Sequence, residues 1–200
     1  MNAIERLAEI FSRFPGIGPR QARRFVYFLL SRNGDYSGEL IRAIEGLKKS
    51  ASQCESCMRF FVPEGRKTSL CRTCSDETRD RETLMLVSRD VDFEAIEKSG
   101  GYRGYYFILG GVIPILEKEP EKRVRAKELD LRLKKDKQIK EVILATNANL
   151  DGENTADFIK ERYKNLKLEF SILGRGLSTG AELEYADPET LKNALLHRTK

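Results

Sequence analysis

One histidine, no tryptophan and no long apolar run mark this chain by omission. The histidine, His197, stands three residues from the C-terminus. Its isolation removes nearly every mechanism that needs a histidine base, a catalytic triad or a histidine ligand set. The longest uncharged stretch, Gly104 to Leu116, is too short to span a bilayer and carries Gly110, Gly111 and Pro114. Near the N-terminus, Glu5, Arg6 and Glu9 stand where a secretory signal needs an apolar core. A cytoplasmic protein without membrane contact is expected. In that reducing setting, four cysteines point to metal more than to disulfides.

What remains is ordinary in bulk and uneven in detail. The 200 residues are 40% apolar and 34% charged, so the composition is neither disordered-like nor membrane-like. Lys and Arg number 36 against 31 Asp and Glu, a net +5. Residues 1–80 hold +4 of this excess, and the segment Arg13 to Arg32 contains five arginines with no acid. A second basic stretch, Lys118 to Lys140, interleaves ten cations with five acids, the pattern of a solvated helix face or loop.

The acid-free stretch lies in a helical hairpin. Ile4, Leu7, Ala8, Ile10, Phe11 and Phe14 recur at helical spacing, which predicts a helix over 3–13. Pro15-Gly16-Ile17-Gly18-Pro19 then reverses the chain, with Pro19 suited to the first turn of a second helix. In that helix Ala22, Phe25, Val26, Leu29 and Leu30 form one apolar stripe. Arg20, Arg23 and Arg24 fall on the opposite side, with Tyr27 among them. Glycines that let backbone N–H groups approach a phosphate, a helix N-terminus and an arginine face together suit sequence-independent contact with a DNA backbone. A plain helix pair solubilised by its arginines is the alternative.

The cysteines are the most specific local signal. Cys54 and Cys57, then Cys71 and Cys74, make two C-x2-C knuckles separated by thirteen residues. Four thiolates so spaced suit a closed tetrahedral site, and zinc fits better than an iron–sulfur cluster, a redox pair or disulfides. With no further ligand nearby the metal would be structural, one Zn²⁺ per chain. Phe60 to Leu70 reads as a short hairpin between the knuckles. So small a module draws its folding energy from the metal.

From residue 83 strands and helices alternate. Strands are predicted at Thr83–Val87, Tyr105–Leu109, Val142–Ala145 and 168–173, with helices at Phe93–Lys98 and Glu153–Lys164. This order implies a mostly parallel α/β sheet whose function gathers beyond the C-terminal strand ends. Asp151 and Glu153 lie at one such end and could hold Mg²⁺, cap a helix or meet a partner. Phosphoryl chemistry would want another acid on a neighbouring strand, where this chain has Ser88. Asp92 reads as a helix cap. Gly174 to Gly180 lacks the Gly-Lys-[Ser/Thr] of a P-loop. Leu183–Ala186 could form an edge strand, and Asp187-Pro188 opens a last helix with Leu191, Ala194 and Leu195 on its apolar side.

Several of these segments resemble the bacterial RecR recombination-repair family. The hairpin Phe14-Pro-Gly-Ile-Gly-Pro-Arg-Gln-Ala-Arg-Arg-Phe is similar to its helix-hairpin-helix. Val142-Ile-Leu-Ala-Thr-Asn147, Gly152-Glu-Asn-Thr-Ala156, Arg175-Gly-Leu and Leu183-Glu-Tyr-Ala-Asp187 resemble its Toprim domain and C-terminal segment. The order of modules matches over nearly the whole chain. Two departures stand out: Ser88 replaces the acid after the first Toprim strand, and Ile113 to Pro120 replaces the family's glycine-containing loop.

The resemblance implies an α/β multidomain protein. Its expected parts are a helix-hairpin-helix (1–52), a four-cysteine zinc module (53–80), a Toprim-like sheet (81–173) and an oligomerising C-terminal strand and helix (174–200). It implies a non-enzymatic mediator that forms a dimer or tetrameric ring, engages DNA and works with RecO and RecF to load recombinase on single strands. It would be cytoplasmic and nucleoid-associated when on DNA. On matched positions the DNA face is Gly16, Gly18, Arg20 and Arg24, with Arg23 added on geometry. Asp151 and Glu153 would face RecO. A Mg²⁺-dependent Toprim nuclease or strand-transferase, and a zinc-bearing protein adaptor, are the competing expectations.

Overall fold

The computed structural model describes every residue except Asn33, Arg66, Lys67, Arg175, His197, Thr199 and Lys200. The isolated His197, Arg175 of the matched Arg-Gly-Leu segment and Arg66 of the expected hairpin therefore lie outside the described residues. The chain divides into two compact units, Met1–Ala51 and Ser52–Lys200.

In the first unit, α1 (Ala3–Ser12) starts where Asn2 accepts the Glu5 amide at 2.9 Å while the Glu5 carboxylate accepts the Asn2 amide at 3.1 Å. This reciprocal box satisfies two otherwise orphaned donors. After the reversal, α2 (Pro19–Ser31) begins with its proline in the first turn. The two helices close on Ala8, Ala22 and Val26, flanked by Leu7, Phe11 and Ile17. Phe11 meets Phe14 and Phe25 edge to face at 5.8 and 5.7 Å. Leu30, expected on the buried stripe, is exposed. With ten residues against thirteen, α1 is too short to cover the last turn of α2. A third helix, α3 (Tyr36–Ser50), buries none of its residues.

The second unit opens with a two-stranded ribbon, β1 (Ser52–Gln53) against β2 (Phe60–Phe61), in register Ser52↔Phe61. Among the described residues of Phe60–Leu70 only Phe60–Phe61 is strand, and its pairing runs back across the first knuckle, where Cys54 N–H donates to the Arg59 carbonyl at 2.9 Å, rather than within the expected hairpin. One turn of helix, α4 (Arg72–Ser75), carries the second knuckle. Then follow β3 (Asp80–Val87), α5 (Asp90–Ser99), β4 (Gly104–Ile108), α6 (Ala126–Lys135), β5 (Glu141–Ala145), α7 (Leu150–Tyr163), β6 (Glu169–Ile172) and α8 (Pro188–Leu196).

The four long strands form one parallel sheet in the order β4-β3-β5-β6, with Val87 opposite Ile108 on one side and Ala145 on the other. Side chains alternate across a strand, so the unbroken run Leu84-Met85-Leu86-Val87 supplies two cores. Leu84 and Leu86 join Phe107, Leu129, Leu144 and Ile159 under α6 and α7. Met85 and Val87 join Phe93, Tyr106, Ile108 and Cys54, Cys57 and Cys71 on the other face. The cysteine module therefore shares its apolar core with the sheet. The mixed-charge stretch from Lys118 to Lys140 is divided between α6, whose Ala126, Leu129 and Leu133 are buried, and the turns on either side of it.

Leu183–Ala186 is not an edge strand. It closes on itself as a 3-10 turn, Leu183–Tyr185, with Tyr185 N–H on the Glu182 carbonyl and Ala186 N–H on that of Leu183, both at 3.2 Å. Local i to i+3 bonds win in so short a segment. At α8, Asp187 accepts from the Thr190 amide at 2.9 Å, as its capping role requires. Leu191 and Ala194 are half-buried there, but Leu195 is exposed.

Candidate nucleic-acid interface, metal centre and strand-end acids

The hairpin turn combines one left-handed glycine with one open helix end. Gly16 has φ +74°, a region that L side chains rarely adopt. Ile17 N–H closes the turn on the Phe14 carbonyl at 3.1 Å. Gly18 is the N-cap of α2 in extended conformation, and no side chain caps the first turn. Its early N–H groups therefore remain available to an anion. Arg20, Arg23 and Arg24 are all exposed, as is Tyr27. The side chains of Arg20 and Arg23 make no ion pair or hydrogen bond among the described residues. Among the described residues the Arg24 side chain reaches only Gln21 Oε1, at 3.4 Å.

The cysteines converge as their spacing requires. The four Sγ atoms lie within 4.8 Å of one another, and among the described residues this is the one group of three or more His, Cys, Asp or Glu that could hold a metal. Cys57 Sγ and Cys71 Sγ are 3.6 Å apart. A tetrahedron with metal–sulfur bonds of about 2.3 Å has an edge of about 3.8 Å, so this donor set fits such an ion. The Cys71 amide donates to Cys54 Sγ at 3.4 Å, which supports negative charge on sulfur. Thiol-to-thiol hydrogen bonding pulls the four apart in acidity: Cys57 holds Cys54 well below the usual thiol range, and Cys54 pushes Cys57 well above it. Met58, just after the first knuckle, takes a left-handed φ of 64°.

The module is anchored to the sheet. Ile108 N–H on the outer edge of β4 donates to the Cys57 carbonyl at 2.8 Å, and Asp90 Oδ1 accepts the Phe60 amide at 2.8 Å. Arg125 Nη1 bridges the Met58 and Ile108 carbonyls at 2.9 and 3.1 Å. Sequence reasoning missed these anchors, which join residues far apart in the chain.

At the strand ends, the cap of α7 is Asn149, whose Oδ1 accepts the Gly152 amide at 2.9 Å. Asp151 and Glu153 sit in that first turn, where their charge complements the helix dipole. Asp92 completes the cap of α5 by accepting the Arg89 amide at 2.9 Å. Glu153 lines a cleft of about 420 Å³ with Thr146, Asp157, Gly174 and Asn193, whereas Asp151 does not. Gly152 between them is obligatory, since a Cβ there would lie 2.0 Å from the Asn147 carbonyl oxygen. Ser88 is 1% exposed and its Oγ has no partner among the described residues. The departing loop is pinned to α7: Ile113 N–H donates to Thr155 Oγ1 at 2.8 Å, and Asn154 Nδ2 to the Ile113 carbonyl at 3.0 Å.

Comparison with known families follows the same division. Residues 4–47 match the pattern described as RecR, helix-hairpin-helix, residues 82–174 the Toprim domain, and residues 176–199 RecR, C-terminal. The fold and its cysteine cluster thus define a multidomain α/β protein of Toprim type with an N-terminal helix-hairpin-helix. Recombination protein RecR of Bifidobacterium adolescentis is 39% identical over 197 residues, which cover 98% of this chain and 95% of that protein. The proteins of the same name from Roseiflexus sp. and Staphylococcus saprophyticus are 38% and 34% identical over 192 and 197 residues. These cover 96% and 98% of this chain, and 91% and 96% of theirs. The chain belongs to the RecR family of recombination proteins.

Proposed function

We propose that the chain is a non-enzymatic mediator of recombinational DNA repair that grips the sugar–phosphate backbone through Gly16, Gly18, Arg20, Arg23 and Arg24. It assembles as a ring, carries one structural Zn²⁺ on Cys54, Cys57, Cys71 and Cys74, and acts with RecO and RecF to load recombinase on single-stranded DNA. Asp151 and Glu153 form its acidic docking point for RecO. It works in the cytoplasm, on the nucleoid when bound to DNA. When bound, zinc would supply rigidity to the knuckles and no open coordination position for chemistry.

The observation that carries this reading is the exposed arginine flank of α2 beside an uncapped helix start, with Arg20 and Arg23 unpaired among the described residues. Charges held so, without an internal partner, suit phosphates and give sequence-independent, salt-sensitive binding. The test is binding of labelled DNA with Mg²⁺ across a salt series. Replacing Arg20, Arg23 and Arg24 together by Ala should lower the salt slope on duplex by about 0.9 per lost contact, about 2.7 in all. An unchanged slope removes these residues from the interface, and DNA cleavage products overturn the non-enzymatic reading.

A further inference from the structure

Where the cysteine module meets α5 there is an open cleft of about 460 Å³ whose walls include Arg59, Arg72, Arg79, Phe93 and Lys98. Its charges do not cancel. Arg79 uses up two of the acids present: Nη2 donates to Glu97, Nη1 to the Gly104 carbonyl, and Nε lies 3.7 Å from Asp76 Oδ2. Arg59, Arg72 and Lys98 have no ion-pair partner among the described residues, and Glu94 is the single acid left to oppose them. Four cations against three acids leave the lining with one positive charge in excess, and the three cations without an ion-pair partner are the ones open to an anion.

Arg59 is prepared for such a ligand. Its guanidinium lies 4.1 Å from the Phe93 ring centroid, and Phe93 is fixed in turn by Tyr106 edge to face at 4.7 Å. Its Nε is buried with no acceptor among the described residues, an unmet donor that a bound acceptor would satisfy. A flat guanidinium immobilised by stacking has lost most of its rotamer freedom before any ligand arrives, and its fork matches phosphate oxygens.

We infer that this cleft is an anion site that takes a phosphate group, held by the stacked Arg59 fork with Arg72 and Lys98 as flanking charges. Two sources offer that chemistry, a free phosphate and a phosphodiester of a nucleic-acid strand. The second rests on the DNA-binding reading above, and the first does not.

The test uses the full-length, zinc-loaded protein labelled with ¹⁵N. Titration with inorganic phosphate should shift the Arg59 Nε–H signal and the amides around Arg72 and Lys98. The exposed pair Arg72→Gln/Lys98→Gln, with an otherwise unchanged amide spectrum, should weaken phosphate about tenfold. Arg59→Lys, which keeps the charge and loses the fork, should fall between that pair and wild type.

The second arm uses a short single-stranded oligonucleotide and protein already carrying Ala at Arg20, Arg23 and Arg24. Residual binding that disappears with Arg72→Gln/Lys98→Gln assigns a strand contact to the cleft. Phosphate shifts without that loss assign a free anion. Failure of the hairpin substitutions to alter DNA binding sinks the hairpin interface and leaves the cleft standing. Absence of phosphate-dependent shifts at these residues, or shifts that persist in the double variant, overturns the cleft site.

Discussion

Stripping the metal should melt the cysteine module and loosen the sheet border it leans on, while the far side of the sheet stays folded. Three hydrogen bonds tie residues 54–74 to the sheet and its helices: Ile108 amide to Cys57 carbonyl, Phe60 amide to Asp90, and Arg125 to Met58 carbonyl. At about 1 kcal/mol each they return about 3 kcal/mol. The 21 residues from Cys54 to Cys74 cost at least about 1 kcal/mol each to order, more than the ties supply. A structural zinc contributes about 10–16 kcal/mol in small cysteine modules, so an ion held by these four cysteines would carry the larger share. Losing even about 5 kcal/mol of local opening energy speeds amide exchange more than a thousandfold. The assay is hydrogen–deuterium exchange after dialysis against a chelator, with metal content measured in parallel. Peptides over 54–74 and the Ile108 amide should lose protection, α7 should keep it, and added Zn²⁺ should restore both. A metal-free sample with native protection over 54–74 would refute this account and show that the shared apolar core suffices.

Two other outcomes follow from side-chain geometry in the sheet unit. Gly152→Ala places a methyl 2.0 Å from a backbone oxygen and 2.8 Å from the Asn147 carbonyl carbon. It should destabilise by roughly 1–3 kcal/mol or more in urea melts, and an unchanged midpoint would mean that the turn before α7 yields freely. In the second case, Arg162 hydrogen-bonds Asp130 at 2.7 and 3.0 Å and holds its carboxyl below the usual range, aided by the Tyr163 hydroxyl at 2.7 Å. A depressed carboxyl contributes stability that is whole above the unfolded pKa of about 4 and is lost as pH falls through the folded value. Asp130→Asn should therefore remove part of the acid limb of the stability–pH curve, and an unaltered limb would remove this pair from it.

The parts of the fold written in short-range signals were legible. The proline–glycine reversal, the two C-x2-C knuckles and the four parallel strands all stand where their spacing put them. The α3 helix escaped notice because Gly38 and Gly46 break its pattern and none of its apolar positions, such as Leu40, Ile41, Ile44 and Leu47, is fully buried. Asn149 rather than Asp151 caps α7 since both can accept a first-turn amide and only the folded turn selects between them. The Arg59–Phe93 stack joins residues from different elements, so no local periodicity could announce it. The apolar run at Leu84 to Val87 signalled burial on both faces, but not that the cysteine module would cover one of them.

The carbonyl of Cys57 on the amide of Ile108 has a consequence beyond holding the knuckle in place. It occupies a hydrogen-bonding position on an outermost parallel strand made of Tyr105, Tyr106, Phe107 and Ile108, side chains with high tendency to stack chain on chain. The cysteine cluster thus doubles as a guard against misassembly: a chain whose knuckles came loose would present a bare, aromatic selvedge to its neighbours, and loss of any ion held there would invite precipitation.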